Sequence, residues 1–258
     1  MVKLHVFGSS AGTEPQPGRH HTSWALEFDG KLYWFDAGES CYHTASEMGL
    51  DLLSIKTLCI SHPHIDHCGG LPNLLWAMTK IMQVTARSKS EPLELFLPDM
   101  KILSGVENWL STFDKWRGFP YDVAPHRIAD GVIFDDGKVS IEARHNFHLG
   151  VPEDGVFRSF SFRIKVDGKV IVFSGDVKSY ADMGDFLDGC DLLLMETGHH
   201  KSSEVCAALR REQRNIRDII FVHSGRELLN DYNNALARAE AAWGAPLRVA
   251  SDGSTFEL

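Results

Sequence analysis

The sequence predicts an α/β (α+β) fold, a four-layer αβ/βα sandwich in which two β-sheets pack face to face and helices cover the outer surfaces. Three observations predict it. Hairpin-forming strand pairs recur in both halves of the chain, helical periodicity falls between these strand groups, and no Pro/Gly/Ser linker or low-complexity tract interrupts the sequence. Residues 1–258 are accordingly read as one domain.

The first strand pair joins Ala25-Leu26-Glu27-Phe28 to Lys31-Leu32-Tyr33-Trp34-Phe35 through Asp29-Gly30, a dipeptide suited to a type I′ turn. The second half repeats the unit, with residues 160–166 meeting Asp167-Gly168 and returning over 169–173. A third hairpin pairs residues 131–134 with 138–141 and leads directly to His145 and His148. Both of the first two hairpins run into a small acidic turn, Asp36-Ala37-Gly38 and Gly175-Asp176, so polar side chains sit repeatedly at strand ends.

Leu71, Leu74, Leu75, Met78, Ile81 and Met82 recur at three- and four-residue spacing, and Pro72 suits a first helical turn, whose N–H groups have no intrahelical partner. A second helix is expected over 204–212 behind a Ser202/Ser203 cap, and a third over 234–243, stopped by Gly244 and Pro246. Trp76, Trp109, Trp116 and Trp243 fall in amphipathic stretches and are expected to pack against helices rather than to stack on bases.

Composition narrows the classes of function. No apolar run approaches the roughly 18 residues a membrane-spanning helix needs, and the first residues lack a signal-peptide core, which predicts a cytoplasmic protein without membrane partners. Five widely spaced cysteines without a Cys-x-x-Cys pair read as reduced thiols. A net charge of −9 opposes nonspecific attraction to nucleic acid. The unusual number is 13 histidines, and they are grouped.

His62, His64, Asp66 and His67 place four candidate ligands within six positions, directly after the apolar run Thr57-Leu58-Cys59-Ile60. Positions two apart on an extended strand end project in one direction, so His62 and His64 can converge on one ion while Asp66 and His67 diverge toward a second. Imidazole and carboxylate form the ligand set of open, catalytic sites for zinc and similar divalent ions. Gly69 and Gly70 would let the loop pass tightly into the helix that follows.

A His-x-His-x-Asp-His run after a strand is the signature of the metallo-β-lactamase superfamily, and the chain resembles its ribonuclease Z and phosphodiesterase-like branch. The resemblance extends from Val6-Phe7-Gly8-Ser9-Ser10-Ala11-Gly12, through Phe35-Asp36-Ala37-Gly38 and the histidine run, to Ser174-Gly175-Asp176 and Phe221-Val222-His223-Ser224. It implies that His62, His64 and a later histidine hold one metal ion, that Asp66, His67 and His223 hold another, and that Asp176 bridges the two. The later histidine is His145 or His148. The ribonuclease Z-like pattern places alternating apolar residues a few positions before the ligand, and Ile141 and Ala143 fit that pattern for His148, so the resemblance implies His148 and leaves His145 to orient a neighbour. Asp36 is expected to anchor a ligand imidazole or loop N–H groups.

The implied cofactors are two divalent ions, zinc first and manganese or iron as alternatives. They would share a hydroxide as nucleophile, oriented by Asp66. Proton donation to the leaving oxygen is implied for Glu196 with His199 or His200, although the stretch before these histidines is shorter than in the family. Arg226, Ser224 and His20 are candidate substrate contacts, with Arg19, His21 and Arg158 weaker candidates around the mouth.

The expected function is dinuclear metal-dependent hydrolysis of a phosphodiester or nucleotide-like phosphoester. Transfer RNA is not expected as a substrate, because the chain is acidic and the region from Leu75 to Tyr121 contains no Gly/Pro-rich arm. A homodimer is the assembly allowed for. The enzymatic alternative is a lactone, thioester or amide hydrolase. Against it stand Gly175-Asp176, not shared by β-lactamases, and a chain that ends too soon after His223 for the helical domain of glyoxalase II relatives. A flavodiiron-like redox protein would carry glutamate in place of His64, and a non-catalytic binding protein would not need the full ligand set.

Overall fold

Strand-forming runs of alternating or continuous apolar residues assemble into two seven-stranded sheets in the computed structural model, which describes residues 1–114 and 116–258. The first half supplies β1 (Lys3–Gly8), β2 (Ser23–Phe28), β3 (Lys31–Phe35), β4 (Ile55–Cys59), β5 (Leu93–Leu97) and β6 (Val123–Arg127). The second supplies β7 (Gly131–Asp135), β8 (Val139–His145), β9 (Phe160–Val166), β10 (Lys169–Phe173), β11 (Cys190–Thr197), β12 (Ile216–Ser224) and β13 (Arg248–Val249). The last strand, β14 (Thr255–Glu257), crosses back to pair with β1. Sheet orders are β14-β1-β2-β3-β4-β5-β6 and β13-β12-β11-β10-β9-β8-β7.

Each sheet begins as antiparallel hairpins and continues as parallel strands, from β3 onward in one and from β10 onward in the other. The Asp-Gly turns are built as their chemistry requires. Asp29 and Gly30 have φ of 50° and 71°, and Asp167 and Gly168 have 50° and 73°, the paired positive values of a type I′ turn. Parallel strands need crossover connections, and here these carry helices: α1 (Cys41–Glu47), α2 (Ile65–Cys68), α3 (Leu71–Thr85) and α4 (Lys101–Leu110) in the first half. The second half has α5 (Ser202–Arg211), α6 (Arg226–Asn230) and α7 (Tyr232–Trp243).

Burial separates into three apolar clusters, as four layers demand. Between the sheets, Trp24 stacks on Phe35 at 4.4 Å between centroids and meets Phe173 edge-on at 5.2 Å. Outside the first sheet, Trp34 and Leu58 pack with Leu71, Leu74, Leu75 and Met78 of α3; outside the second, Val172, Leu193 and Phe221 pack with Leu209 of α5 and Trp243 of α7. The two-layer sheet core and its helical covers form the α/β sandwich expected of the sequence.

Two local expectations are corrected. Ser202 is the first residue of α5 rather than its cap, because its N–H and Oγ both turn to the Glu227 carboxylate at 3.0 and 3.1 Å. Trp109 is 53% exposed on α4 and packs in no core, whereas Trp243 is buried and Trp76 lies edge-on to Phe113. All five cysteines are free thiols, and among the described residues no helix is long and apolar enough to cross a membrane.

Candidate metal and active site

The carboxyl ends of the parallel strands point to one edge of the sandwich, where loops can carry ligands without disturbing sheet hydrogen bonds. After β4 the chain passes through His62, bends at Pro63, is extended at His64 and then enters the single turn of α2, which presents Asp66 and His67. Gly70 follows because a Cβ there would lie 2.1 Å from the Gly38 carbonyl oxygen. Two backbone bonds, Ala37 N–H to His67 O and Gly70 N–H to Ala37 O, clamp the histidine loop onto the Asp36 turn.

Asp36 is fully buried with φ 55°, a conformation in which its side chain turns back toward the histidine run. It accepts from Ser61 N–H at 2.7 Å, Ser61 Oγ at 2.9 Å and His67 Nδ1 at 2.7 Å. Asp36 therefore anchors both a ligand-side imidazole and loop donors. The proton on His67 Nδ1 leaves Nε2 directed inward, 3.3 Å from Asp176 Oδ1 and 3.7 Å from Asp66 Oδ2.

His223 at the end of β12 has φ 47° and aims Nε2 at Asp176 Oδ2, 3.3 Å away. Its Nδ1 lies 2.5 Å from Thr22 Oγ1, and that hydroxyl lies 3.2 Å from the Ser10 carbonyl oxygen. A carbonyl only accepts, so Thr22 donates to Ser10 and accepts from His223 Nδ1–H. His223 is thus held, like His67, in the tautomer that frees Nε2.

On the other side, His62 Nε2 stands 3.7 Å from Asp176 Oδ2, and His64 Nδ1 faces His148 Nε2 at 3.2 Å. His148 Nε2 is 3.8 Å from Asp176 Oδ2. His145 is elsewhere: still within β8, it pairs with Asp130 at 2.7 Å and stacks on Phe157. Of the two, His148 is the one brought to the cluster.

The ligand-type atoms fall into sets whose members lie within 4.8 Å of one another: His62, His64, His148 and Asp176; Asp66, His67 and His223; and Asp176, His199 and His223. His62 Nε2, His67 Nε2, His223 Nε2 and Asp176 Oδ1 are all buried with no hydrogen-bond partner among the described residues. Each such buried orphan costs about 1–3 kcal/mol when nothing satisfies it. Four of them converging from three strand ends fit a bound cation, which takes lone pairs and needs no hydrogen-bond geometry.

Charge coupling supports the same reading. Burial alone would raise the Asp176 pKa, but His223 and His67 outweigh it and hold the carboxyl well below its usual range. Burial alone would lower that of His67, yet Asp176 and Asp36 push it well up. His62 is driven down by burial and by the neighbouring His67 charge. A bound cation would supply the positive charge that offsets Asp176 in place of a proton on His67 and would leave the His67 Nε2 atom as a ligand.

A cavity of about 790 Å³ opens over Asp66, Asp176 and His223. Glu196, fully buried at the end of β11, accepts from His199 N–H at 3.0 Å and faces His199 Nδ1 at 3.1 Å. That hydrogen bond raises the His199 pKa against the opposing effect of burial. His200 also lines the cavity; its Nε2 donates to the Val177 carbonyl at 2.9 Å and lies 3.4 Å from Glu196 Oε1.

The candidate substrate contacts are split. Arg226 and Ser224 line the cavity, but Arg226 donates through Nε and Nη2 to Glu14 Oε2 at 2.9 and 2.8 Å. The expectation for His20 is corrected: it does not line the cavity, because Asp252 accepts its backbone N–H at 2.6 Å and faces its ring at 3.1 Å. Arg19 is taken by Ser9 and the Ala250 carbonyl, and Arg158 by Asp99 and Asp154. Sequence reasoning missed Thr22 and Glu14. Their only sequence signal is polar residues in the irregular stretch between β1 and β2.

The chain belongs to the family described as the beta-lactamase superfamily domain, whose model matches residues 33–237. It is a metal-dependent hydrolase of that superfamily, and ribonuclease Z proteins are among its relatives. It is 24% identical to the ribonuclease Z of Shouchella clausii (strain KSM-K16), over 100% of this chain and 97% of that protein. Among solved structures, the metallo-β-lactamase fold protein YhfI from Bacillus subtilis aligns with a TM-score of 0.75 at 15% identity, covering 100% of both chains. The short form of human tRNase Z (ELAC1) aligns with a TM-score of 0.74 at 18% identity, covering 99% of this chain and 98% of that one. The expectation that set tRNA aside gains no support from these relatives. Its physical weakness is that net charge is averaged over the whole chain, while a phosphate meets only the charge at the site.

Proposed function

We propose that this chain holds two divalent cations, zinc foremost, and hydrolyses a phosphodiester or nucleotide-like phosphoester. The observation that carries the reading is the convergence of His62, His67 and His223 Nε2 atoms on Asp176 at the floor of a cavity walled by His199. His62, His64 and His148 would hold one ion, Asp66, His67 and His223 the other, and Asp176 would contact both. Bound divalent ions supply Lewis acidity toward a phosphoryl oxygen and lower the pKa of water.

The chain's own groups do the rest. Asp36 and Thr22 fix the tautomers of His67 and His223. Asp66, with its carboxylate at the cavity floor, orients the attacking water. His199 is the proton donor: Glu196 binds its Nδ1 and favours the imidazolium, while Nε2 has no partner among the described residues and can present its proton to the leaving oxygen. His200, held by Val177, supports this loop. An RNA internucleotide bond belongs to the same chemical class, and the ribonuclease relatives keep it among the substrates to be assayed.

The test is metal analysis joined to a substrate panel. Protein purified without added metal is expected to carry close to two ions per chain. Chelation should abolish turnover of bis(p-nitrophenyl) phosphate, and zinc or manganese should restore it. Hydrolysis of a lactone, a thioester or nitrocefin without phosphodiester turnover would reverse the assignment in favour of the C–O, C–S or C–N hydrolases of this fold.

A further inference from the structure

The cavity above the candidate metal cluster is lined by two permanent cations, Lys201 and Arg226, and either would be a natural receptor for a second anionic group on the substrate. Neither is free. Arg226, at the start of α6, gives two N–H donors to Glu14 Oε2, and Lys201 Nζ lies 3.0 Å from Glu204 Oε1. Glu14 and Arg226 are 212 positions apart and both line the cavity, so their pair spans its mouth from opposite ends of the chain.

The side chains are 52% and 75% exposed, and exposed ion pairs add little to stability. What the pair changes is the charge a ligand meets. With Arg226 and Lys201 both paired, the positive charge left for a substrate would lie at the metal cluster and at His199 beside it. Of the remaining wall, Glu227 adds a further carboxylate, and Ala11, Thr13, Gln16 and Leu229 are uncharged. A second phosphate near the scissile one would have to displace a carboxylate before it gained a contact.

We infer that Glu14 is a specificity-determining residue that neutralises Arg226 and so directs the site to phosphodiesters bearing a single phosphate, discriminating against those with a second phosphate beside it. The inference rests on the phosphoester reading. It makes the residues around Glu14 a subsite for the uncharged part of the substrate and assigns Arg226 to clasping the mouth in the free protein.

The test compares kcat/KM of the metal-loaded protein for thymidylyl-thymidine, which has one internal phosphate, and for the same dinucleotide carrying a 5′-terminal phosphate. Wild-type protein should prefer the unphosphorylated dinucleotide. E14Q should raise the phosphorylated-to-unphosphorylated ratio by roughly three- to tenfold, the scale of one unscreened charge at contact distance near solvent. In E14Q/R226Q the ratio should return to the wild-type value, because the gain requires the released guanidinium. A wild-type ratio in E14Q, or a gain that survives in the double variant, overturns the inference while leaving the phosphoester reading intact. Failure of wild-type protein to cleave either dinucleotide or bis(p-nitrophenyl) phosphate would overturn both.

Discussion

Replacing Thr22 by valine keeps shape and burial while deleting the hydroxyl that receives His223 Nδ1–H. The structure allows the consequence to be sized. Thr22 is 1% exposed, its Oγ1 stands 2.5 Å from His223 Nδ1, and its own proton goes to Ser10 O, so valine removes both bonds and leaves a buried imidazole N–H without a partner. The cost of such an orphan is about 1–3 kcal/mol. Expressed in cation binding, where about 1.4 kcal/mol is tenfold, this becomes roughly a 5- to 150-fold loss of affinity. Losses of about 10- to 100-fold are typical when the group orienting a ligand histidine is removed. On the proposed two-ion reading, the loss should fall on the ion that Asp66, His67 and His223 would hold and spare the one that His62, His64 and His148 would hold. The assay is a competition titration of zinc against a chromophoric chelator, run on wild type, T22V and T22S, with circular dichroism to confirm folding. T22S retains the hydroxyl and should recover most of the affinity. Folded T22V with wild-type affinity for both ions would refute the reasoning, as would a T22S variant as impaired as T22V.

Three further outcomes follow from the same geometry. Asp36→Ala strips a fully buried carboxylate of three hydrogen bonds and leaves a left-handed alanine, so a loss of about 3–5 kcal/mol is expected, lowering Tm by roughly 6–20 °C. Asp36→Asn should lose less, because an amide oxygen still accepts, and thermal melts monitored by circular dichroism distinguish them. His199→Gln should lower kcat by about 10²- to 10⁴-fold on substrates with poor alkoxide leaving groups and much less on p-nitrophenyl esters, whose leaving group needs no proton. The pH dependence has a definite sign: Glu196 raises the His199 pKa above its ordinary value, so the acid form persists into higher pH and activity falls on the alkaline side as that pKa is passed. The stability this contact contributes is likewise present below the unfolded histidine pKa and lost as pH rises through the folded one. Glu196→Gln should move the alkaline limb of kcat toward lower pH, and an unmoved limb would exclude His199 as the titrating acid.

How much of this was legible in the sequence depends on the range over which each feature is encoded. The Asp29-Gly30 and Asp167-Gly168 turns are local, since paired positive φ values select those residues wherever they occur, and the strands on either side follow from them. The run from His62 to His67 is local too. His145 and His148 are only three apart, and what separates them is where β8 stops: His145 is still in register with Phe160, which fixes its side chain beside Asp130, whereas His148 lies beyond the strand and is free to turn inward. Periodicity alone locates strand ends too coarsely to make that choice, and the preference for His148 comes from the ribonuclease Z-like pattern into which Ile141 and Ala143 fit. Thr22 with His223, Glu14 with Arg226 and His20 with Asp252 are more than 200 positions apart. The stretch between β1 and β2 meets the last third of the chain only because both sheets deliver their loops to one edge, and no local pattern records it.

The two acidic turns show how far a repeated pattern carries and where it stops. After β3 the left-handed residue is Asp36 itself, with φ 55°, so its carboxylate folds back onto Ser61 and His67 and every oxygen is used within the protein. After β10 the left-handed position is taken by Gly175, with φ 56° and a Cβ-less approach to Phe160 O, and the aspartate comes one residue later. Asp176 is thereby carried past the turn and into the cluster, where Oδ1 is buried with no hydrogen-bond donor among the described residues and histidines from the segments after β4 and at the end of β12 surround it. A one-residue difference in where glycine falls thus converts the same motif from a support for ligands into the group around which they assemble.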